Sequence, residues 1–134
     1  MTSPPPGFDP LTSKSPFVNR AGAFFVRTES DGSRSVGSWI GYDQSNSEDL
    51  ANGLAHGGFL LGFADFALCE VTMGVTLTLS AEFLRPARVG QWIQAQIVIR
   101  KASRSLIFAD AIVTSEEQEV LLGSGLFRPI EKRG

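Results

Sequence analysis

The 134-residue chain has one cysteine, Cys69, and one histidine, His56. A single thiol excludes an internal disulfide, and one residue of each kind is too few for a dedicated transition-metal site. Twelve Lys and Arg stand against fourteen Asp and Glu, a formal charge of -2. No basic excess is available to neutralise the phosphates of a nucleic acid. The longest apolar run is interrupted by Asp65 and is too short to span a bilayer. Residues 1–6 lack the apolar core of a signal peptide, and no glycine-rich phosphate loop is present. The simplest expectation from these absences is a cytoplasmic protein with neither a nucleic-acid nor a membrane partner.

What is present is an ordinary globular composition, 43% apolar and 19% charged, sufficient for one domain with a real core. The most informative stretch runs from His56 through Gly57 and Gly58 to Asp65 and Cys69. It is long enough for a helix over 57–71 and apolar on all sides, the pattern of a helix buried inside a domain. A carboxylate in such a helix loses hydration, and that cost has to be met by partners or by a raised pKa. Asp65 is therefore a candidate for chemistry, against the plainer reading of a buried structural acid. Glycines at a helix N-terminus present free backbone N–H groups, which suit an oxyanion.

Residues 1–20 are rich in Pro, Ser and Thr and read as a frayed or surface-lying lead-in with a short helical turn near 16–19. Strands are expected over 23–27 and 35–42 around the turn signal Asp31-Gly32. Residues 43–52 are polar and loop-like. After the helix, 76–83 alternates polar and apolar without a break, so one face should be buried and the other polar. Further strands follow over 93–99, 106–114 and 120–127, with an acidic turn at 116–119. Two strands, a long helix and four strands fit an α+β fold in which about six antiparallel strands curl around one central helix. Residues 21–134 form a single domain.

His56-Gly57-Gly58, then Asp65, then a strand with Gly74-Val75-Thr76, then the turn from Phe83 through Pro86 to Gly90 resemble a hotdog-fold acyl-CoA thioesterase of the phenylacetate-pathway (PaaI-like) type. The resemblance implies a hotdog domain that hydrolyses a thioester to a free acid and coenzyme A with no metal or other cofactor, coenzyme A being part of the substrate. It assigns Asp65 as nucleophile or as general base for water, and the Gly57 or Gly58 N–H as the oxyanion donor. It also implies a homodimer, paired again into a tetramer, with Asp65 of one subunit facing the glycine turn of the other. A non-catalytic acyl-CoA-binding hotdog protein is the alternative.

Where the family carries Asn or Gln six residues before the histidine, this chain has Leu50. Asn52 is a candidate substitute, with Asn46 and Gln44 behind it. His56 either shapes the turn or reaches the thioester. Thr76 matches a Ser/Thr that helps fix water beside the aspartate in related enzymes, or it is plain sheet surface. Gly58, Gly62 and Asp65 share a helix face, and Gly62 leaves room for an acyl chain or for a close subunit contact. Phe59, Phe63 and Phe66 are core or an acyl-pocket wall. Arg85, Arg88 and Arg104, with Arg100, Lys101 and Arg128, are candidates for holding coenzyme A phosphates or are a solvated rim.

Overall fold

The apolar run forms the long helix that its composition predicts, and the rest of the chain is organised around it. The computed structural model describes residues 3–49 and 51–130. In chain order the elements are β1 (Asp9–Leu11), α1 (Pro16–Ala21), β2 (Phe24–Thr28), β3 (Arg34–Trp39), a 3-10 turn (Tyr42–Gln44), α2 (Gly57–Thr72), β4 (Gly74–Phe83), β5 (Trp92–Ala102), β6 (Ile107–Ser115) and β7 (Gln118–Pro129). The strands form one antiparallel sheet in the order β1-β2-β3-β5-β6-β7-β4. It curls around α2, giving the α+β hotdog architecture.

His56 starts α2. Its backbone is extended (φ -61°, ψ 136°) and its side chain accepts a hydrogen bond from the Gly58 N–H, satisfying one of the orphan donors of a helix start. Met73 ends the helix in the left-handed conformation (φ 54°), with its N–H bonded to the Cys69 carbonyl. Gly74 then turns the chain into β4 where a Cβ would lie 3.0 Å from the Arg128 carbonyl oxygen. Leu60, Phe63, Ala64, Ala67 and Leu68 point into the sheet. Opposite them lie the small residues Ala95, Ala109 and Ala111 among Val36, Ile93, Ile97 and Phe127, which lets the helix settle closely onto the sheet.

Two expectations need correction. The helix is apolar all round, but the described residues of one chain cover only one face: Gly57, Gly58, Leu61 and Gly62 are exposed and Asp65 is half-buried. Uniform hydropathy cannot say which side the chain itself covers. The sheet also has a seventh strand, β1, in the segment read as a lead-in. Phe8 is 6% exposed, its ring 5.0 Å from Trp92, with the Arg27 guanidinium 4.3 Å from its centroid. A three-residue strand containing Pro10 carries too little alternation to be read locally, and tertiary packing holds it. The turn at 16–19 lies within α1, capped by the Ser15 hydroxyl accepting from the Val18 N–H.

The β6–β7 hairpin turns through Glu116 and Glu117, both with positive φ (49° and 67°), between the paired residues Ser115 and Gln118. That is a two-residue turn of the primed type, which normally takes Asn-Gly or Asp-Gly.

Candidate active site

Helical spacing of four, three and four residues places Gly58, Gly62, Asp65 and Cys69 along one face of α2. Asp65 Oδ1 accepts a hydrogen bond from Thr76 Oγ1 on β4. Cys69 Sγ lies 3.1 Å from the same hydroxyl and 3.9 Å from Asp65 Oδ1. Thr76 has one proton, given to the carboxylate, so its oxygen takes the thiol proton of Cys69. Burial pushes the Cys69 thiol pKa up, the hydrogen bond with Thr76 pulls it down, and the neighbouring Asp65 pushes it up again. The net upward shift keeps Cys69 an S–H donor at neutral pH. The chain of bonds thus runs thiol to hydroxyl to carboxylate.

Thr76 reaches Asp65 because β4 is irregular. Its pairing with β7 steps from Thr76↔Phe127 to Thr78↔Leu126, leaving Leu77 as an extra residue. The bulge brings Thr76 to the helix side together with Leu79 and Ala81, which pack on the core. Uninterrupted alternation would put Thr76 on the polar face with Thr78 and Ser80. A bulge that re-aims a side chain beside a site is a recurrent device. In the sequence Cys69 stands out only as an unpaired thiol. Its spacing of four residues from Asp65 was the available signal that it shares the site.

At the other end of the helix, Gly58 N–H donates to His56 Nδ1 at 2.9 Å. The Phe59 and Leu60 N–H groups bond the His56 carbonyl. Among the described residues Gly57 N–H has no such partner. Neither glycine has positive φ, because both lie within the helix. Eight residues separate Gly57 from Asp65, about 12 Å along a helix axis. One chain therefore does not bring its own Asp65 to its own Gly57 N–H.

The polar loop side chains are committed locally. Asn52 donates to Asp49 at 2.8 Å, and Asn46 accepts from the Leu54 N–H. Gln44 bridges the Gly41 N–H and the Ala21 carbonyl, both at 2.8 Å. Leu50 lies outside the described residues. The basic residues do not converge within one chain. Arg85 and Arg88 precede β5, whereas Arg100, Lys101 and Arg104 lie at or beyond its far end, roughly 30 Å away at the rise of a strand. Arg85 bonds the Glu119 carbonyl, Arg100 is ion-paired with Asp110, and Arg128 lies on β7 opposite Val75. Turn positions adjacent in sequence order occupy opposite edges once the strand between them is extended.

No helix among the described residues is long and apolar enough to cross a membrane. Nor does any group of three or more His, Cys, Asp or Glu among them form a potential metal site.

Comparison with known proteins agrees with this architecture. A Pseudomonas aeruginosa protein provisionally named an esterase is 32% identical over 135 residues, spanning 95% of this chain and 98% of that protein. A point mutant of the phenylacetic acid degradation protein PaaI from Thermus thermophilus superposes with TM-score 0.73 at 28% identity, over 87% of this chain and 100% of that one. A second Thermus thermophilus protein gives TM-score 0.74 at 27% identity, over 88% and 100%. The PaaI-type hotdog resemblance read from the sequence is borne out. The model of the thioesterase superfamily matches residues 52–122, more than half of the chain, and the chain belongs to that superfamily.

Proposed function

We propose that this protein hydrolyses acyl-CoA thioesters to a free carboxylic acid and coenzyme A. The observation that carries the reading is the Asp65 carboxylate. It is half-buried on the uncovered face of α2 and oriented by Thr76, with space rather than side chains beside it at Gly62. Asp65 acts as nucleophile on the thioester carbonyl or as general base for water. The unpartnered Gly57 N–H at the N-terminus of α2 receives the oxyanion, with the helix dipole behind it. His56 shapes this turn by holding the Gly58 N–H. No metal or redox cofactor is required, since attack and charge stabilisation are both supplied by the chain. Coenzyme A phosphates meet exposed arginines such as Arg85, Arg88 or Arg104.

The 12 Å between Gly57 and Asp65, about eight helical rises, supports a site shared by two copies with antiparallel helices, Asp65 of each meeting Gly57 of the other. β4 also supports it. This edge strand has one neighbour in the sheet and exposes Val75, Leu77 and Phe83. A second copy would cover an edge of that kind.

The test is hydrolysis of a panel of acyl-CoAs, read as released thiol, with the Asp65→Asn variant alongside. That variant keeps the size of the side chain. It should fold and bind substrate while turnover falls by roughly two orders of magnitude or more. Near-normal turnover by Asp65→Asn would make the acid structural. Binding of acyl-CoA by the unaltered protein without hydrolysis would leave a binding module of the same fold.

A further inference from the structure

α1 and α2 enclose a cleft whose aromatic walls the chemistry above does not use. Its volume is about 580 Å³, inside the range of roughly 300–1,000 Å³ typical of small-molecule sites. Its walls are the rings of Phe17, Phe24, Phe59, Phe63 and Phe66. Gly58 and Gly62 form the part that opens on the uncovered crest of α2. Phe24 belongs to β2, so the cleft lies on the side of α2 away from β4 and Thr76.

Three observations show a place kept for an apolar guest. Phe17 is 78% exposed, an unfavourable position for a large ring beside a cavity of rings unless something covers both. A Cβ at Gly62 would meet nothing within 4 Å, although glycine in mid-helix is destabilising by roughly 0.5–1 kcal/mol relative to alanine. α1 buries none of its residues. Its end is tied down by Gln44 Nε2 donating to the Ala21 carbonyl at 2.8 Å. Val18 and Ala21 pack one side of it against the core, while Pro16 and Phe17 line the cleft.

We propose that this cleft is the acyl subsite, that it takes an extended apolar acyl group, and that Phe17 on α1 closes over the chain and sets its preferred length. The proposal rests on the thioesterase reading. The cleft includes Gly58, one residue from the Gly57 N–H that receives the oxyanion, so the acyl carbon sits where the cleft meets the helix N-terminus. The coenzyme A moiety is a poor occupant, because Arg20 is the one cation among the described residues of the lining and several phosphates need more. A second copy is a poor occupant too, since the chain's own α1 already roofs the cleft and the unpaired edge of β4 lies across the helix.

The experiment measures kcat and KM for straight-chain acyl-CoAs from acetyl to dodecanoyl with the unaltered protein, Gly62→Leu and Phe17→Ala. Light scattering and thermal unfolding are run on each, and octanoate binding is followed by calorimetry. In the unaltered protein kcat/KM should rise roughly fourfold per added methylene until the cleft is full. Gly62→Leu should reach its plateau about three to four carbons earlier, with a loss that grows with chain length. Phe17→Ala should raise KM for long chains roughly tenfold and leave kcat in place. Octanoate should bind, and more weakly to both variants. Hydrolysis with an unchanged chain-length profile in both variants overturns the subsite and leaves the thioesterase reading standing. A Gly62→Leu variant that changes oligomeric state and loses all substrates alike assigns the cleft to a contact between copies and also overturns it. If the unaltered protein hydrolyses no acyl-CoA, the thioesterase reading fails. Octanoate binding then decides the cleft alone, and its absence rejects the cleft as well.

Discussion

The oxyanion role proposed for Gly57 is one that its neighbour cannot share. The Gly58 N–H is committed to His56 Nδ1, so a Gly58→Ala variant acts by pressing a methyl group to 3.0 Å from that ring nitrogen, not by deleting a free donor. Gly57 is the first residue of α2, a position where proline is well tolerated. His56 already has the extended backbone that a residue before proline prefers. A Cβ at Gly57 would meet Phe83 Cε2 at an ordinary 3.7 Å. Gly57→Pro therefore removes one N–H and little else. We expect kcat to fall about 10²–10³-fold with the thermal midpoint nearly unchanged, while Gly57→Ala keeps most activity. A fully active Gly57→Pro enzyme would move the oxyanion donor elsewhere. At this scale the sequence was most informative where chemistry and local geometry coincide, as at Asp65 and the glycine pair. It was silent on which glycine N–H is free, because that depends on the rotamer of His56.

The elements were legible wherever period and turn chemistry agreed, and misleading where one extra residue intervened. Residues 76–83 alternate so regularly that they read as an unbroken strand, yet the bulge at Leu77 reverses the facing of Thr76 relative to Thr78. No side-chain pattern marks it, since the bulged residue is itself apolar and partly exposed. β1 was hidden for the opposite reason, as a strand too short to have a period. The β6–β7 turn departs from local preference: Glu116 and Glu117 both hold the left-handed conformation, at roughly 1 kcal/mol each for residues with a Cβ. Glu116→Asn with Glu117→Gly should relieve that strain and raise stability by about 1 kcal/mol. Thermal unfolding should register a gain of roughly 3–5 °C. An unchanged or lowered midpoint would mean that the two side chains contribute compensating interactions at that turn.

Across the whole molecule, the uncovered face of α2 and the unpaired edge of β4 are the surfaces on which the proposed shared site depends. If each site takes Asp65 from one copy and Gly57 from another, two inactive variants should rescue each other. Refolding Asp65→Asn together with Gly57→Pro in equal amounts should restore about a quarter of normal activity, because half of the random dimers are mixed and each mixed dimer has one intact site. Failure to recover any activity, with mixed dimers verified, would place both groups in a single chain's site. The family resemblance implies this division, but residue spacing alone does not, since spacing along a helix becomes a distance only once the helix is known to be straight. On the shared-site proposal, the eight residues from Gly57 to Asp65 would make catalysis a matter of mass action. Diluted below the dissociation constant of its dimer, the protein should lose turnover per chain while each chain stays folded, and regain it when concentrated. Abundance would then govern how active each molecule is, as well as how many there are.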